Sequence, residues 1–192
     1  YLLPTTACII QEKLKLSTSC GALDFNLGCS GFIYGLALAK GLIESGQAKK
    51  VLLLTADTYS KFIHKRDLAT SLLFGDAAAA TLITESSESH VGPFVFGTDG
   101  SGAKDLIIHA GGAREPIDSE ALVEVEDEKG NVRARSNLYM NGQEVFNFAM
   151  REVPKAVADL LDKEQTTLND YDYFIFHQAN AYMLEALRRR LN

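Results

Sequence analysis

Cys29 lies in the sequence setting best suited to covalent chemistry. It stands in the run NLGCSGF (26–32), between a predicted short strand over 22–27 and a predicted helix over 30–45. The flanking glycines allow a tight turn and close approach of another backbone, and the positive end of a helix dipole favours a thiolate. Two interpretations stay open from these residues alone: a nucleophile or a small buried apolar side chain. Cys8 and Cys20 lack this context, which indicates structural roles for both.

His177 is the second residue whose position suggests chemistry. It follows a predicted strand over 173–176 and begins the run HQAN (177–180). A histidine at the end of a strand can donate a hydrogen bond or act as a base, and Asn180 could cap the next helix or contact a substrate. The competing interpretation of His177 is a half-buried histidine with a structural hydrogen bond. Spacing along the chain does not establish that His177 meets Cys29.

Arg188, Arg189 and Arg190 form a basic cluster on an acidic chain. Such a run is either a solvated helix end that the helix dipole favours or a docking patch for an acidic partner. The remaining histidines are scattered, and no spacing predicts a metal site.

These residues must be positioned by alternating strands and helices, which predicts an α/β fold with a mixed or parallel sheet covered on both faces. Cys29 and His177 would each follow a strand in a strand–turn–helix unit, at the strand ends where α/β folds place their chemistry. A polar excursion is expected over 110–137, with a short hairpin as one possibility. The other expected elements are helices over 4–14, 142–162 (bent at Pro154) and from 179, and strands over 51–56, from 75–76 onward and near 91–97.

Composition narrows the function classes. The 192 residues include 19 Lys+Arg and 25 Asp+Glu, a net charge of −6, which argues against a general nucleic-acid binder. Three cysteines with no CxxC pair argue against a disulfide scaffold and favour a reducing, cytoplasmic setting. No run is long enough to span a membrane. The chain starts at Tyr1, and we expect it to be part of a longer protein.

Six stretches together resemble β-ketoacyl-acyl-carrier-protein synthase III, a family of thiolase-fold condensing enzymes. They are LLPTTACIIQ (2–11), CGALDFNLGCSGFIYGLALAKGLIESG (20–46), LLFGDAAAATLI (72–83), GTDGSGAKDLIIHAGGAR (97–114), MNGQEVFNFA (140–149) and FIFHQANAYML (174–184). The resemblance implies a layered αβαβα fold with two related halves, incomplete at both ends. Residues 1–98 would be the latter part of the N-terminal half, with Cys29, and residues 99–192 the start of the C-terminal half, with His177.

The resemblance also implies a decarboxylative Claisen condensation in fatty acid biosynthesis. Cys29 would accept an acyl group from a thioester. Malonyl-acyl carrier protein would lose CO2, and a neutral His177 would donate a hydrogen bond to the enolate oxygen. The carbanion would attack acyl-Cys29 to give 3-oxoacyl-acyl carrier protein. Coenzyme A or carrier phosphopantetheine thioesters would be substrates, with no resident cofactor.

Further positions carry over one at a time. Asn180 matches an asparagine that touches the pantetheine arm, and Met140 and Phe146 match side chains that line the pantetheine tunnel. Leu3 stands where the family closes the acyl pocket of a partner subunit, which implies a homodimer. Arg189 and Arg190 fall near the basic patch that meets the carrier protein.

The chain departs from the family at several points. The family's third catalytic residue, an asparagine, and its C-terminal glycine-rich loop have no counterpart here. Leu68 stands where an arginine often packs on the adenine of coenzyme A, with Arg66 shifted in register, and Tyr182 replaces a carrier-docking arginine. Two alternatives therefore stay open. One is a related acyltransferase of a specialised pathway that moves the acyl group to oxygen or nitrogen, and the other is a non-catalytic fragment or partner subunit.

Overall fold

Helices and strands alternate over residues 1–191, which the computed structural model describes. The helices are α1 (Thr6–Lys13), α2 (Gly31–Glu44), α3 (Leu68–Ser71), α4 (Gly142–Glu164) and α5 (Ala181–Leu191). The strands are β1 (Lys50–Thr58), β2 (Asp76–Thr84), β3 (Leu106–Ile108), β4 (Val125–Glu126), β5 (Val132–Arg133) and β6 (Leu138–Met140). These bounds confirm every expected helix end to within two residues, and they also confirm the strands expected over 51–56 and from 76. None of the described helices is long and apolar enough to cross a bilayer.

The ladders between the described strands are all antiparallel. β1 pairs with β2 from Lys50↔Thr84 to Thr58↔Asp76, β3 pairs with β6, and β4 pairs with β5. The sequence predicts a mixed or parallel sheet, and no parallel ladder occurs among residues 1–191. β1 is apolar on both faces, a pattern typical of parallel strands, but its hydrogen-bonded neighbour is the small-residue strand β2.

Three stretches that were expected to be strands form no ladder in this part of the chain. Residues 22–27, 91–97 and 173–176 lack strand pairing. Their apolar alternation is suited to a sheet, but a strand also needs a hydrogen-bonded neighbour. In the last stretch Tyr173 and Ile175 are 84% and 89% exposed.

Helix α2 lies so close to β1 that the contact requires a glycine. A Cβ on Gly35 would stand 2.6 Å from Leu53 Cδ1 and 3.0 Å from Phe25 Cζ. Leu53 is buried under the helix, and Ala39, one turn after Gly35 in α2, is buried as well. The small residue at position 35 therefore sets how near the helix that follows Cys29 comes to the sheet.

Helix α1 receives its N-terminal cap from outside the helix. The backbone N–H groups of Thr6 and Ala7 donate to the Asp24 carboxylate at 2.6 and 2.8 Å. These two hydrogen bonds hold the pKa of Asp24 below its usual range. The stretch before Cys29 is thereby attached to the first helix.

Helix α4 provides the support for the C-terminal part. Asn141 caps its start by accepting from the Glu144 N–H, and Gln165 ends it in a left-handed conformation (φ +55°). The helix continues across Pro154, so the bend expected there stays a prediction. Ala149 of α4 packs with Met183 and Leu187 of α5 to form a small buried cluster.

The polar excursion is a loop whose two ends meet. Ile108 in β3 is the Cα partner of Leu138 in β6, so the ends of the loop 109–137 lie side by side. Inside this loop β4 and β5 form the short hairpin that the sequence suggested. The loop folds back on residues 62–70, because the Val132 N–H donates to the Arg66 carbonyl at 3.2 Å and the Leu138 N–H donates to the Phe62 carbonyl at 2.8 Å.

An ion cluster around the buried Asp67 attaches the β4–β5 hairpin to residues 62–70. Arg133 Nε donates to Asp67 Oδ2 at 2.9 Å, and Arg133 Nη2 donates to Asp127 Oδ2 at 3.0 Å. Asp67 is fully buried and also caps α3 by accepting from the Ala69 N–H. This cluster is not predictable from the sequence. Its only signal is an acidic residue before a short helix and an arginine 66 positions later.

Candidate active site

Cys29 lies in the turn directly before α2, as expected. The Gly31 N–H donates to the Gly28 carbonyl at 2.8 Å and closes the turn. Ser30 is the N-cap residue of α2, and its side chain makes no capping hydrogen bond. Cys29 is exposed at this helix end, so a thioester carbonyl can reach it, while the protein around the sulfur partly shields the thiol from water.

An aromatic wall stands beside the cysteine turn. A Cβ on Gly28 would be 3.3 Å from the Tyr59 hydroxyl, so the absence of a side chain at position 28 allows this approach. The Tyr59 and Phe74 rings lie 5.2 Å apart at 46°. Neither aromatic residue was identified from the sequence, because both are distant from Cys29 along the chain.

The surroundings of Cys29 disfavour the thiolate. Burial of the thiol raises the pKa of Cys29 above its usual value, and the negative charge of Asp57 raises it further, against a lowering by the Cys29 backbone N–H. The sequence predicts that the helix end favours a thiolate, and the surroundings of the sulfur oppose that effect. Burial also raises the pKa of Tyr59, with smaller contributions from Asp57 and Cys29.

His177 follows the unpaired stretch 173–176 and is exposed. No hydrogen bond among residues 1–191 joins it to Cys29. The pairing of the two side chains therefore stays a prediction.

Asn180 holds the start of α5. Its Oδ1 accepts from the Met183 N–H at 2.8 Å, so the expected capping role is confirmed. Asn180 also lines an open cavity of about 260 Å³, together with Gly142, Gln143, Phe146, Tyr182 and Met183. The cavity is mostly apolar, with the amide groups of Asn180 and Gln143 at its wall.

The structure brings together the three residues that were matched to the pantetheine path. The Phe146 ring stacks on Tyr182 at 5.4 Å and 30° over this cavity, which Asn180 also lines. Met140 is adjacent, because its Cε would lie 3.9 Å from a Cβ on Gly142. From the sequence Tyr182 is only a departure from the family pattern, whereas in the structure it lines the cavity wall.

The other site residues lie apart from this cavity wall. Leu3 is 86% exposed near the start of the chain. Arg188 and Arg189 both pair with Glu185, whereas Arg190 is exposed and forms no ion pair within the described residues. No group of three or more His, Cys, Asp or Glu side chains among residues 1–191 is arranged to hold a metal ion.

The chain is similar to known proteins along almost its whole length. Residues 23–100, which contain Cys29, match the family model of 3-oxoacyl-[acyl-carrier-protein] synthase III. The chain is 40% identical over 190 residues to the β-ketoacyl-[acyl-carrier-protein] synthase III of Caldanaerobacter subterraneus. This alignment covers 98% of the chain and 54% of that relative. It is 35% identical to the enzyme of the same name from Clostridium tetani, of which it covers 56%. The chain thus spans about half the length of the curated relatives it matches.

Solved structures agree over the whole chain. A crystal structure of a 3-oxoacyl-(acyl-carrier-protein) synthase III superposes with a TM-score of 0.96 at 53% identity, covering all of this chain and 57% of the other. The 3-oxoacyl-(acyl-carrier protein) synthase of Burkholderia xenovorans superposes with a TM-score of 0.83 at 43% identity. That match covers all of this chain and 53% of the other. The thiolase-like fold is confirmed, and the division into halves at residue 98 stays a prediction. The chain is therefore similar over almost its whole length to 3-oxoacyl-[acyl-carrier-protein] synthase III enzymes, about half of whose length it spans.

Proposed function

We propose that this chain is the Cys29- and His177-bearing part of an acyltransferase that carries out a decarboxylative Claisen condensation. It would join an acyl thioester to malonyl-acyl carrier protein and give 3-oxoacyl-acyl carrier protein in fatty acid biosynthesis. The observation that carries the proposal is the exposed Cys29 at the start of α2, inside the segment that matches the family model.

In the first step the sulfur of Cys29 attacks the carbonyl carbon of an acyl thioester. The bond from that carbon to the donor sulfur breaks, and the cysteine proton ends on the departing thiol. Since burial and Asp57 raise the pKa of Cys29, the resting thiol is protonated near neutral pH. Acylation therefore needs a proton acceptor at the moment of attack.

In the second step the malonyl thioester loses CO2, and the electron pair of the broken bond forms an enolate. His177, as a neutral imidazole, donates a hydrogen bond to the enolate oxygen. The enolate carbon then attacks the carbonyl of acyl-Cys29, and the Cys29 thiolate leaves. The exposed position of His177 supports access of a substrate to this side chain.

The cavity at the start of α5 suits the arm that presents these thioesters. A pantetheine arm alternates methylene groups with amides, and the cavity wall combines Phe146 and Met183 with the amides of Asn180 and Gln143. Met140 adds an apolar side chain beside it. We assign the arm of coenzyme A or of the carrier to this wall, with no resident cofactor required.

The partners follow from the same proposal. An acidic acyl carrier protein would dock through Arg189 and Arg190 at the end of α5. Leu3 would reach the acyl pocket of a second copy of the chain in a homodimer, which the 86% exposure of Leu3 supports. The cytoplasmic location stays a prediction from cysteine content.

Intact-protein mass spectrometry tests the function. The full-length enzyme incubated with acyl-coenzyme A should gain one acyl mass on the peptide that contains Cys29, and adding malonyl-carrier protein should remove that mass and yield a 3-oxoacyl carrier. Cys29→Ser should abolish labelling, and Cys8→Ser serves as the matched control. Labelling of Cys8 or Cys20, or of no cysteine with any donor, would refute the nucleophile.

One solved relative supports a specialised pathway as the second candidate. The priming β-ketosynthase of the R1128 polyketide pathway superposes with a TM-score of 0.81 at 29% identity. The same loading experiment separates condensation from acyl transfer to oxygen or nitrogen, because such transfer would clear acyl-Cys29 without release of CO2. A condensing enzyme of a specialised pathway would instead be recognised by the acyl donors and acceptors that it uses. A non-catalytic role is disfavoured by the presence of both Cys29 and His177.

A further inference from the structure

We propose that Glu185 masks the docking arginines of α5 and so sets how tightly the enzyme binds its acidic carrier protein. The identity of that partner rests on the proposed function. We call the cluster of Arg188, Arg189 and Arg190 the α5 basic end.

One carboxylate holds two of the three guanidinium groups. Glu185 Oε2 accepts from Arg188 Nε at 2.8 Å, and Glu185 Oε1 accepts from Arg188 Nη2 at 2.9 Å and from Arg189 Nε at 2.7 Å. Arg190 makes no such pair within the described chain. The α5 basic end therefore offers an approaching anion one unpaired arginine and two that already have a carboxylate partner.

The position of Glu185 on the helix places this pairing beside the substrate cavity. Tyr182, Glu185 and Arg189 are spaced i, i+3 and i+7 and share one face of α5. Tyr182 lines the cavity, and Arg189 stands about 10 Å further along the helix axis at 1.5 Å per residue. A carrier protein that inserts its arm at this cavity would meet Glu185 before or together with the arginines.

The pairing is easily exchanged. The side chains of Glu185, Arg188 and Arg189 are 43%, 60% and 73% exposed, and ion pairs this open to water hold loosely. A carboxylate of the partner can take the place of Glu185 on the same guanidinium groups. Glu185 then repels the incoming acidic surface, which lowers both the rate of encounter and the affinity.

The mask is permanent across physiological pH. Hydrogen bonds from Arg188 and Arg189 lower the pKa of Glu185 to about 2. Its negative charge is thus present from neutral pH down to strongly acidic conditions. Variation of pH near neutrality leaves this effect unchanged, whereas salt and mutation alter it.

The inference is tested by measuring how tightly the acyl carrier protein binds the full-length enzyme, by biolayer interferometry. The salt concentration is varied from about 25 to about 300 mM, over which the Debye length falls from roughly 20 to roughly 6 Å. Glu185→Gln should tighten binding by about three- to tenfold at low salt and steepen the salt dependence. Arg190→Gln should weaken binding. Glu12→Gln is the matched control, since Glu12 is an exposed α1 residue paired with Lys15 and its replacement changes the net charge equally.

Unchanged or weaker binding of Glu185→Gln, or an equal gain in Glu12→Gln, would overturn the inference. The KM for a short acyl-pantetheine thioester, which lacks the phosphate charges of coenzyme A, should stay constant in Glu185→Gln, and an equal fall there would also contradict a carrier-specific mask. Binding is read without turnover. Tighter carrier binding with no condensation product from any donor would therefore refute the proposed function and leave the role of Glu185 standing.

Discussion

At the scale of single residues, the protonation of Cys29 is the feature that most affects reactivity. The thiol stands at a helix N-terminus, yet burial and Asp57 raise its pKa. The sequence predicted the position of Cys29 correctly, because glycines and a helix start are local signals. It missed the pKa because Asp57 and Tyr59 come from the end of β1, nearly 30 residues further along the chain.

Removal of the Asp57 charge should make Cys29 more reactive. Asp57→Asn eliminates a negative charge that disfavours the thiolate, so the pKa of Cys29 falls and alkylation at about pH 7.5 becomes faster. Iodoacetamide labelling of the Cys29 peptide, followed by mass spectrometry over a range of pH, measures this. The rate should rise with pH in both proteins, and the curve of the variant should lie at lower pH.

Asp159→Asn is the control for this experiment. Asp159 is an exposed residue of α4, and its replacement changes the net charge by the same amount. If Asp57→Asn and Asp159→Asn give superimposable curves, Asp57 has no direct influence on the thiol.

At the scale of elements, the contact between α2 and β1 decides where Cys29 stands. The helices and the long strands β1 and β2 could be predicted because apolar periodicity, Gly46 and the run of alanines are local. The direction in which β1 and β2 pair could not be predicted, because an apolar run does not specify which strand lies beside it or which way that strand runs. The stretches 22–27 and 173–176 were misjudged for the same reason.

Two glycines of the same helix provide a matched test of this contact. Gly35→Ala places a methyl group 2.6 Å from Leu53 Cδ1, so overpacking should destabilise the fold by about 1–3 kcal/mol. Gly41→Ala meets nothing within 4 Å and should stabilise by about 0.5–1 kcal/mol through helix propensity. Urea denaturation of the full-length enzyme compares the free energy of unfolding of the two variants. Equal changes in that free energy would show that α2 does not pack closely on Leu53.

At the scale of the whole molecule, the Asp67–Arg133–Asp127 cluster attaches the loop 109–137 to the segment before β2. The sequence predicted a long polar excursion and its hairpin, but it gave no reason to join Asp67 to Arg133. Such pairs depend on tertiary contact, and charge patterning at short range does not reveal them. The candidate site shows the same limit, since family motifs located its residues and only the structure located Tyr59 and Tyr182.

Loss of Arg133 should be far more costly than loss of Arg135. Arg133→Met leaves the fully buried Asp67 without its charged partner, which costs about 3–5 kcal/mol. Arg135 pairs with Glu115 and its side chain is 52% exposed, so Arg135→Met should cost under about 1 kcal/mol. Thermal and urea unfolding of both variants measures the difference. Similar losses of unfolding free energy would mean that the cluster does not stabilise the attachment of the loop.

The meeting of β3 and β6 has an evolutionary consequence. Because Ile108 and Leu138 are paired, insertions or deletions between them leave the register of β6 and the start of α4 unchanged. Closing a longer loop costs little, about 0.6 kcal/mol for each doubling of its length. Arg133 restrains the hairpin, so the exposed parts of this loop are where the chain can be lengthened, shortened or diversified while Cys29 and His177 keep their places.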